Sequence, residues 1–500
     1  MGERILNRKI LFITPPYHAG VLEVAGRWVP LYLVYLSGAA RKAGWEPVVY
    51  DAMGNFAGYR EIEQTIRDVN PDVVGVGAIT STINDALNVV TLVKSVDPAI
   101  KTVLGGVHPT FMYEEILSDP KHGADVDFVV RGEGEATLTE LLGAVERGSA
   151  ADGLKKIKGL VFKEGGQTIV TAPRPLAKDI DTLPVAWDVL DWPSYTYYVM
   201  PGSRLGAIST SRGCEQDCTF CSQQKLWEHS WRSRKPEKIV AELVYLQQNY
   251  GLDVVLFTDE DPVKDRDRFE KLLDLMIEAD LDLKVLMETR ADNIVRDKDI
   301  LWKWRKAGII HIYVGIENID QDVLNDTMKK GITVEQGKEA LRLLDEHGIL
   351  SETSFILGLP EETPESIAKT LRISLEFNPD MAHYVAICPW PYCDIYSELK
   401  DRIEVTDYSQ YNLVTPIVKP DNMTLRELDE EIIVCYKTFY MGKMAEVLSY
   451  KDKFKREYML SAFKRIMLSP FIQAKMGSLG KMPKEMAEEM SKMMPTGKES

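Results

Sequence analysis

Arg212-Gly213-Cys214-Glu215-Gln216-Asp217-Cys218-Thr219-Phe220-Cys221 is the stretch from which the rest of the chain can be read. Three of the six cysteines fall here, spaced Cys-x3-Cys-x2-Cys. A short loop of this kind can aim three thiolates at one cubane cluster and leave the fourth iron open, whereas electron-transfer clusters use four cysteines. An open iron can bind a substrate-like molecule and pass an electron into it. The competing reading is zinc. A structural zinc site needs a fourth Cys or His close by; His229 is available, but its spacing is not that of a zinc finger. The other cysteines, Cys388, Cys393 and Cys435, are scattered. In a chain of this length they read as buried thiols, with a redox or metal role for Cys388 and Cys393 as the alternative.

The motif follows a β-like run at 205–209. Further runs lie at 254–257, 283–287, 310–314, 353–357 and 383–387, with helical stretches between them. Six such units predict a partial β/α barrel over 201–400, with its chemistry at the strand carboxyl ends. Those ends read Phe257-Thr258-Asp259-Glu260, Glu288-Thr289-Arg290, Gly315-Ile316-Glu317 and Gly358-Leu359-Pro360-Glu361-Glu362-Thr363. Asp259 and Glu260 could hold a ligand or form a solvated acidic turn.

Upstream, the first 150 residues alternate continuous apolar runs (10–13, 48–50, 73–76, 102–104, 128–130) with helical stretches at 83–93 and 136–145. Unbroken apolar runs suit strands covered on both faces. The order predicts an α/β domain with a doubly wound parallel sheet, its ligands beyond the strand carboxyl ends. The loops there include Asp51, Thr80 and Ser81, Gly105-Gly106-Val107-His108-Pro109 and Arg131-Gly132-Glu133-Gly134-Glu135. Small residues in such loops let backbone approach a bulky ligand. The first turn, Thr14-Pro15-Pro16-Tyr17-His18, lacks the Gly-x-Gly-x-x-Gly of a dinucleotide-binding domain. Residues 151–200 read as a hairpin around Gly165-Gly166, then a linker marked by Pro173, Pro175, Pro184 and Pro193. Residues 401–500 are rich in helix formers, and the last thirty read as an amphipathic surface helix or a frayed tail.

Net charge is −16, which argues against a general nucleic-acid binder. No apolar run approaches the ~18 residues of a spanning helix, and the first residues lack a signal peptide's apolar core. The expectation is a cytoplasmic protein without a transmembrane segment.

Cys214, Cys218 and Cys221, with Phe220 before the last cysteine, resemble the radical S-adenosylmethionine (SAM) superfamily. The resemblance implies a 4Fe-4S cluster on the three cysteines, whose open iron chelates SAM and cleaves it to a 5′-deoxyadenosyl radical. It implies that Arg290 and Glu317 hold the methionyl or ribose part of SAM, and it brings Asp259 and Glu260 to the same side. The N-terminal unit resembles the cobalamin-binding domain of one class of these enzymes. Asp51, Thr80, Ser81, Gly105, Gly106, His108, Gly132 and Glu133 would then lie on the cobalamin side. Asp51-Ala52-Met53 departs from the Asp-x-His-x-x-Gly motif of cobalamin mutases, so no cobalt-ligating histidine is expected from that loop.

Within this class, several stretches are similar to the family of anaerobic magnesium-protoporphyrin IX monomethyl ester oxidative cyclases. They are Ala25-Gly26-Arg27-Trp28-Val29-Pro30, Asp51-Ala52-Met53-Gly54-Asn55, residues 105–113, Val130-Arg131-Gly132-Glu133-Gly134-Glu135 and Ile387-Cys388-Pro389-Trp390-Pro391-Tyr392. That similarity implies hydrogen abstraction from the 13-propionate ester side chain, oxygen derived from water, closure of the fifth ring of (bacterio)chlorophyll and an external electron donor. Trp390 and Tyr392 would face the flat tetrapyrrole substrate; the alternative is ordinary packing of a loop at the barrel edge. The other functional readings are a cobalamin-dependent radical SAM C-methyltransferase and a non-catalytic cobalamin sensor or carrier.

Overall fold

The structure is a computed structural model and describes residues 6–18 and 25–468. The stretch 469–500, with its expected surface helix or tail, lies outside the described residues.

Five apolar runs become five parallel strands: β1 (Lys9–Ile13), β2 (Glu46–Tyr50), β3 (Val73–Gly77), β4 (Lys101–Gly105) and β5 (Phe128–Val130). Alternate side chains feed two separate cores. Leu11, Ile13, Val74, Val76, Leu104 and Val129 pack against helices Tyr59–Val69 and Ile83–Val96 on one face. Ile10, Phe12, Val73, Val103, Phe128 and Val130 pack against helices Leu31–Lys42 and Gly134–Glu146 on the other. Burial on both faces is why these strands read as continuous apolar runs.

The hairpin β6 (Leu160–Glu164) and β7 (Gln167–Val170) turns at Gly165 and Gly166, whose φ values are +56° and +83°. It is not part of the linker. β6 pairs antiparallel with β5, so the sheet has seven strands in the order β2-β1-β3-β4-β5-β6-β7, and the N-terminal unit runs on to about residue 170. The five strands within residues 1–150 are parallel as expected, and the hairpin adds an antiparallel edge to them. The proline-rich stretch that follows is also packed rather than free: Trp187, Trp192 and Tyr195 are buried in the main core of the barrel.

The second unit has β8 (Leu205–Ile208), β11 (Val254–Phe257), β12 (Lys284–Arg290), β13 (Ile309–Glu317), β14 (Leu350–Leu357) and β15 (Met381–Ala386) in one parallel sheet. The strands neighbour one another in sequence order, as in an open β/α barrel. A two-residue ribbon, β9 (Ser211–Arg212) with β10 (Arg232–Ser233), follows β8. Helices Leu425–Val447 and Lys453–Leu468 close the base of the barrel, where Val447, Tyr458, Met459 and Phe463 meet Val254, Leu286, Leu350 and Met381. Among the described residues no helix is long and apolar enough to cross a membrane.

The carboxyl ends of the two sheets face each other. Thr80, just beyond β3, hydrogen-bonds through its hydroxyl to Tyr392 Oη beyond β15 at 2.8 Å. In an α/β sheet of order 2-1-3-4-5 the ligand crevice opens where the strand order reverses, between β1 and β3. That crevice points at the mouth of the barrel.

Candidate functional site between the two sheets

The cysteine loop is pinned at both ends. Gly213 has φ +101°, and a Cβ there would stand 2.0 Å from the Ser230 carbonyl oxygen, so only glycine fits. The Arg212 guanidinium donates to Glu133 at 2.9 Å and Glu135 at 2.8 Å, and lies over the Tyr35 ring. Arg232 reaches Glu133 at 3.0 Å as well. The Arg-Gly-Glu-Gly-Glu motif of the first domain thus clamps the base of the cysteine loop. Glu133, expected on the cobalamin side, has its carboxylate committed to these arginines and to the Ala177 amide. The other end of the loop is held by Thr219, which donates its amide to Met328 O at 3.0 Å and accepts from the Ile395 amide.

Cys218 is buried, and Cys214 and Cys221 are half-buried. Burial raises all three thiol pKa values, Cys221 to about 12, and the sulfurs lie near enough to oppose one another's ionisation. Against this, Lys330 and Arg290 favour the Cys218 thiolate, and the Gln216 and Gln223 amides donate to Cys214 and Cys221 sulfur. The donor set is soft, bunched and flanked by cations, which suits an iron–sulfur cluster that takes its ligands as thiolates. Among the described residues no three His, Cys, Asp or Glu side chains converge as ligands of one metal ion would. Cysteines of a cubane bind different irons and stand farther apart.

Around this loop the strand ends carry paired charges. Asp259 is fully buried; it accepts from the Thr210 amide at 2.9 Å, the Thr210 hydroxyl at 2.7 Å and the Ser211 hydroxyl. It is not a solvated turn: it ties β11 to the strand that leads into the cysteines. Glu260 accepts from the Gly213 amide at 2.9 Å and Trp227 Nε1 at 2.6 Å, and so fixes the turn before Cys214. Arg290 donates to Asp292 at 3.0 Å and to the Lys330 and Gly331 carbonyls at 3.0 Å. Glu317, at φ +68°, accepts from Lys330 Nζ at 2.9 Å and the Ser354 hydroxyl at 2.8 Å. A non-glycine residue in that region is uncommon, and here two hydrogen bonds hold its carboxylate in place. Phe220 sits under Lys330 Nζ at 5.8 Å.

Lys330 was not singled out by the sequence reading. It lies outside the strands, thirteen residues beyond Glu317, and looks like one of many surface lysines. The structure buries it among Glu317, Cys218 and Phe220.

Across the crevice the chemistry changes. Gly105 and Gly132 face open space, since a Cβ at Gly105 would meet nothing closer than 3.7 Å and one at Gly132 nothing within 4 Å. Beside β3, Ile79 is 52% exposed and Tyr32 41% exposed, with the Tyr32 ring against Gly77. Open backbone bordered by exposed apolar side chains fits a wide, largely apolar face such as a corrin. Ile79 and Tyr32 escaped the sequence reading because isolated apolar residues carry no motif. Gly106, at φ +101°, packs on Ala78 backbone and turns the chain into helix Val107–Ser118. Asp51 is held by Thr14, Gly54 and Tyr195. Ser81 is buried and hydrogen-bonds Tyr17. His108 is buried, its Nδ1 sharing a hydrogen bond with the Thr80 hydroxyl at 3.1 Å, and desolvation lowers its pKa to about 4. The Tyr392 ring stacks on Phe111 and its hydroxyl meets Thr80, while Trp390 is only partly buried on the barrel core. In this arrangement Tyr392 joins the domains, and Trp390 keeps accessible surface.

Comparison with known proteins agrees with this geometry. The B12 binding domain family matches residues 17–142, and the radical SAM superfamily matches residues 208–373. The anaerobic magnesium-protoporphyrin IX monomethyl ester cyclase of Rubrivivax gelatinosus is 37% identical over 93% of this chain and 83% of its own length. The cyclase of Cereibacter sphaeroides is 37% identical over 91% and 74%. A radical S-adenosylmethionine methyltransferase of Kitasatospora setae, solved with cobalamin and a 4Fe-4S cluster, shares the fold with a TM-score of 0.67 at 17% identity, over 87% of this chain and 89% of its own. The cofactors of the two matched domains are cobalamin for the first and a 4Fe-4S cluster with SAM for the second. By descent along nearly its whole length, the chain belongs to the family of the anaerobic magnesium-protoporphyrin IX monomethyl ester cyclases, among the B12-binding radical SAM enzymes.

Proposed function

We propose that this chain closes the fifth ring of (bacterio)chlorophyll, converting magnesium-protoporphyrin IX monomethyl ester without molecular oxygen. The observation that carries the reading is 37% identity to two cyclases that runs through both domains rather than through the common barrel alone. Held by Cys214, Cys218 and Cys221, a 4Fe-4S cluster would supply the reducing electron for radical chemistry with SAM.

The chain's own residues set the stage for that chemistry. Cys214, Cys218 and Cys221 would hold three of the four irons. Lys330 and Arg290 would lower the cost of gathering three thiolates in a desolvated site. Arg290 and Glu317 would border the SAM end, with Glu260 and Asp259 holding the loop in register behind them. Gly105, Gly132, Ile79 and Tyr32 would take the corrin. His108 has Nδ1 engaged with Thr80, and we read it as a packing residue rather than a cobalt ligand. The porphyrin would enter between the opposed sheets, where Trp390 keeps accessible surface. Electrons would come from a separate cytoplasmic donor.

The test is anaerobic incubation of the reconstituted protein with SAM, a reductant and the magnesium porphyrin ester, read by mass spectrometry. Deoxyadenosine together with a five-ringed porphyrin, its new keto oxygen labelled from H2-18O, is the expected outcome. S-adenosylhomocysteine with a methylated product would replace this reading with the C-methyltransferase. Absence of any SAM-derived product would favour a sensor or carrier.

A further inference from the structure

The inside of the barrel carries polar side chains among its apolar ones, and several of them keep accessible surface. Along the strands β11 to β15 nearly every residue is buried, yet Leu256, Glu288, Tyr313, Glu352, His383 and Val385 keep accessible surface. His383 and Val385 alternate along β15, and Glu288 is the most open of the six. Glu288 is nevertheless ringed by protein, and that desolvation raises its pKa to about 8. An accessible side chain within a strand buried on both sides lines an internal chamber.

Three of these residues stand side by side. Glu288 of β12 is the register partner of Tyr313 in β13, and Tyr313 is the register partner of Glu352 in β14. Neighbouring strands lie about 4.8 Å apart, and register partners point to the same face, so the three side chains form one row. From Glu352 contacts run to both sides of the row, to His311 one layer nearer the base and to His383 one layer nearer the mouth. One carboxylate oxygen meets His311 Nε2 at 2.8 Å, and the other meets His383 Nε2. His311 Nδ1 shares a hydrogen bond with Tyr458 Oη at 2.8 Å. The apolar contacts of Tyr458, Met459 and Phe463 seal the chamber below. Upward, Tyr313 bonds Ser354, whose hydroxyl donates to Glu317 at the SAM end. The chamber is therefore closed at the base and open toward the mouth.

We propose that Glu288, Tyr313 and the His311–Glu352–His383 group form a proton store beneath the reacting centre, with Glu288 as its upper, exchanging end. A proton given up in the chamber breaks its O–H bond to the donor and forms a new one on a Glu288 carboxylate oxygen. Tyr313 stands between that carboxylate and Glu352 in the row, and Glu352 in turn is held between the His311 and His383 imidazoles. The proposal rests on the cyclase reading for its purpose, because oxygen taken from water must shed its protons to groups near the reacting centre. A carboxyl group that titrates near working pH suits such exchange. The groups that set its titration are Asp259 and Glu260 from the end of β11, Tyr313 and Glu317 from β13, and Lys330, the one cation among them.

The test uses the full chain loaded with cluster, cobalamin and SAM, and compares wild type with Glu288→Gln and Glu288→Asp. Glu288→Gln should slow cyclisation by about a hundredfold at unchanged cluster and cobalamin content, and should erase the limb near pH 8 from the rate profile. Glu288→Asp should restore a limb. A Glu288→Gln rate and profile that superimpose on wild type would overturn the proposal. If wild type makes no cyclised product, the cyclase reading fails while the store is read by itself. Infrared spectra of the loaded protein should then show a protonated carboxyl band that disappears between pH 7 and 9 in wild type and is missing in Glu288→Gln. No such difference would overturn the store.

Discussion

The two sheets present their carboxyl ends to the same space with opposite chemistry. At the barrel mouth, charged groups stand in fixed pairs: Glu317 with Lys330, Arg290 with Asp292, and Asp259 with the Thr210 and Ser211 hydroxyls. On the first domain the surface is open backbone and exposed apolar side chains, at Gly105, Gly132, Ile79 and Tyr32. The contrast teaches how one crevice can serve two cofactors. A small zwitterion bound at an open iron requires charges held in place at a strand end. A wide macrocycle requires area, and side-chain bulk or charge would obstruct it. The Glu133 and Glu135 carboxylates of the first domain face the cysteine loop.

The comparison can be broken most severely at the cysteines. Cys218→Ala should abolish deoxyadenosine formation and strip the cluster, as seen by iron content and electron paramagnetic resonance, while leaving cobalamin bound. Undiminished deoxyadenosine would remove the cluster assignment.

Next is the buried pair at the barrel mouth. Lys330→Met leaves the Glu317 carboxylate without its cation, and removing one partner of a buried pair costs about 3–5 kcal/mol. Urea denaturation of the apoprotein should register that loss. Glu317→Gln combined with Lys330→Met should recover much of it, because no buried charge is then stranded. A single variant as stable as wild type would mean that solvent screens the pair.

The first domain offers a test through pH. The folded-state pKa of His108 is lowered to about 4 by burial, against an unfolded value of 6.5. Between these values the unfolded chain binds the proton and the folded chain does not, so stability is lost as pH falls from about 6.5 toward 4. The full shift corresponds to about 3 kcal/mol. His108→Asn should flatten this part of the stability profile relative to wild type, measured by denaturation at several pH values. Parallel profiles would show that His108 is more accessible than its surroundings indicate.

The smallest effect should come from the open apolar face. Ile79→Ser removes exposed surface, so stability should change by less than about 0.5 kcal/mol. Cobalamin affinity should fall about tenfold, because the lost side chain contributes roughly 1–1.5 kcal/mol of apolar contact. Unchanged affinity would place the corrin elsewhere along the crevice.

Much of this was legible in the amino-acid order. The cysteine spacing is local, and so are the apolar runs. In the first domain a strand covered by helices on both faces reads as an unbroken hydrophobic stretch, and all eleven expected strands sit within a few residues of observed ones.

Other features depended on contacts that the order of residues does not encode. The hairpin at 160–170 has a clear turn, but only its pairing with β5 made it the sheet's edge instead of part of a linker. Lys330 and Glu317 are thirteen residues apart, and burial rather than spacing makes them partners. Glu133 and Tyr392 sit in motifs that suggest ligand contact, yet packing the two domains together committed one to Arg212 and Arg232 and the other to Thr80. Glu288, Tyr313 and Glu352 come from three strands, and only the register of the six-stranded sheet brings them into one row. The residues by themselves determined the strands, the cluster motif and the class of chemistry, because those depend on local periodicity and ligand spacing. Tertiary structure decided which charges are paired, which side chains are left open and what lines the barrel, because those depend on strand register and on desolvation by residues far away in the chain.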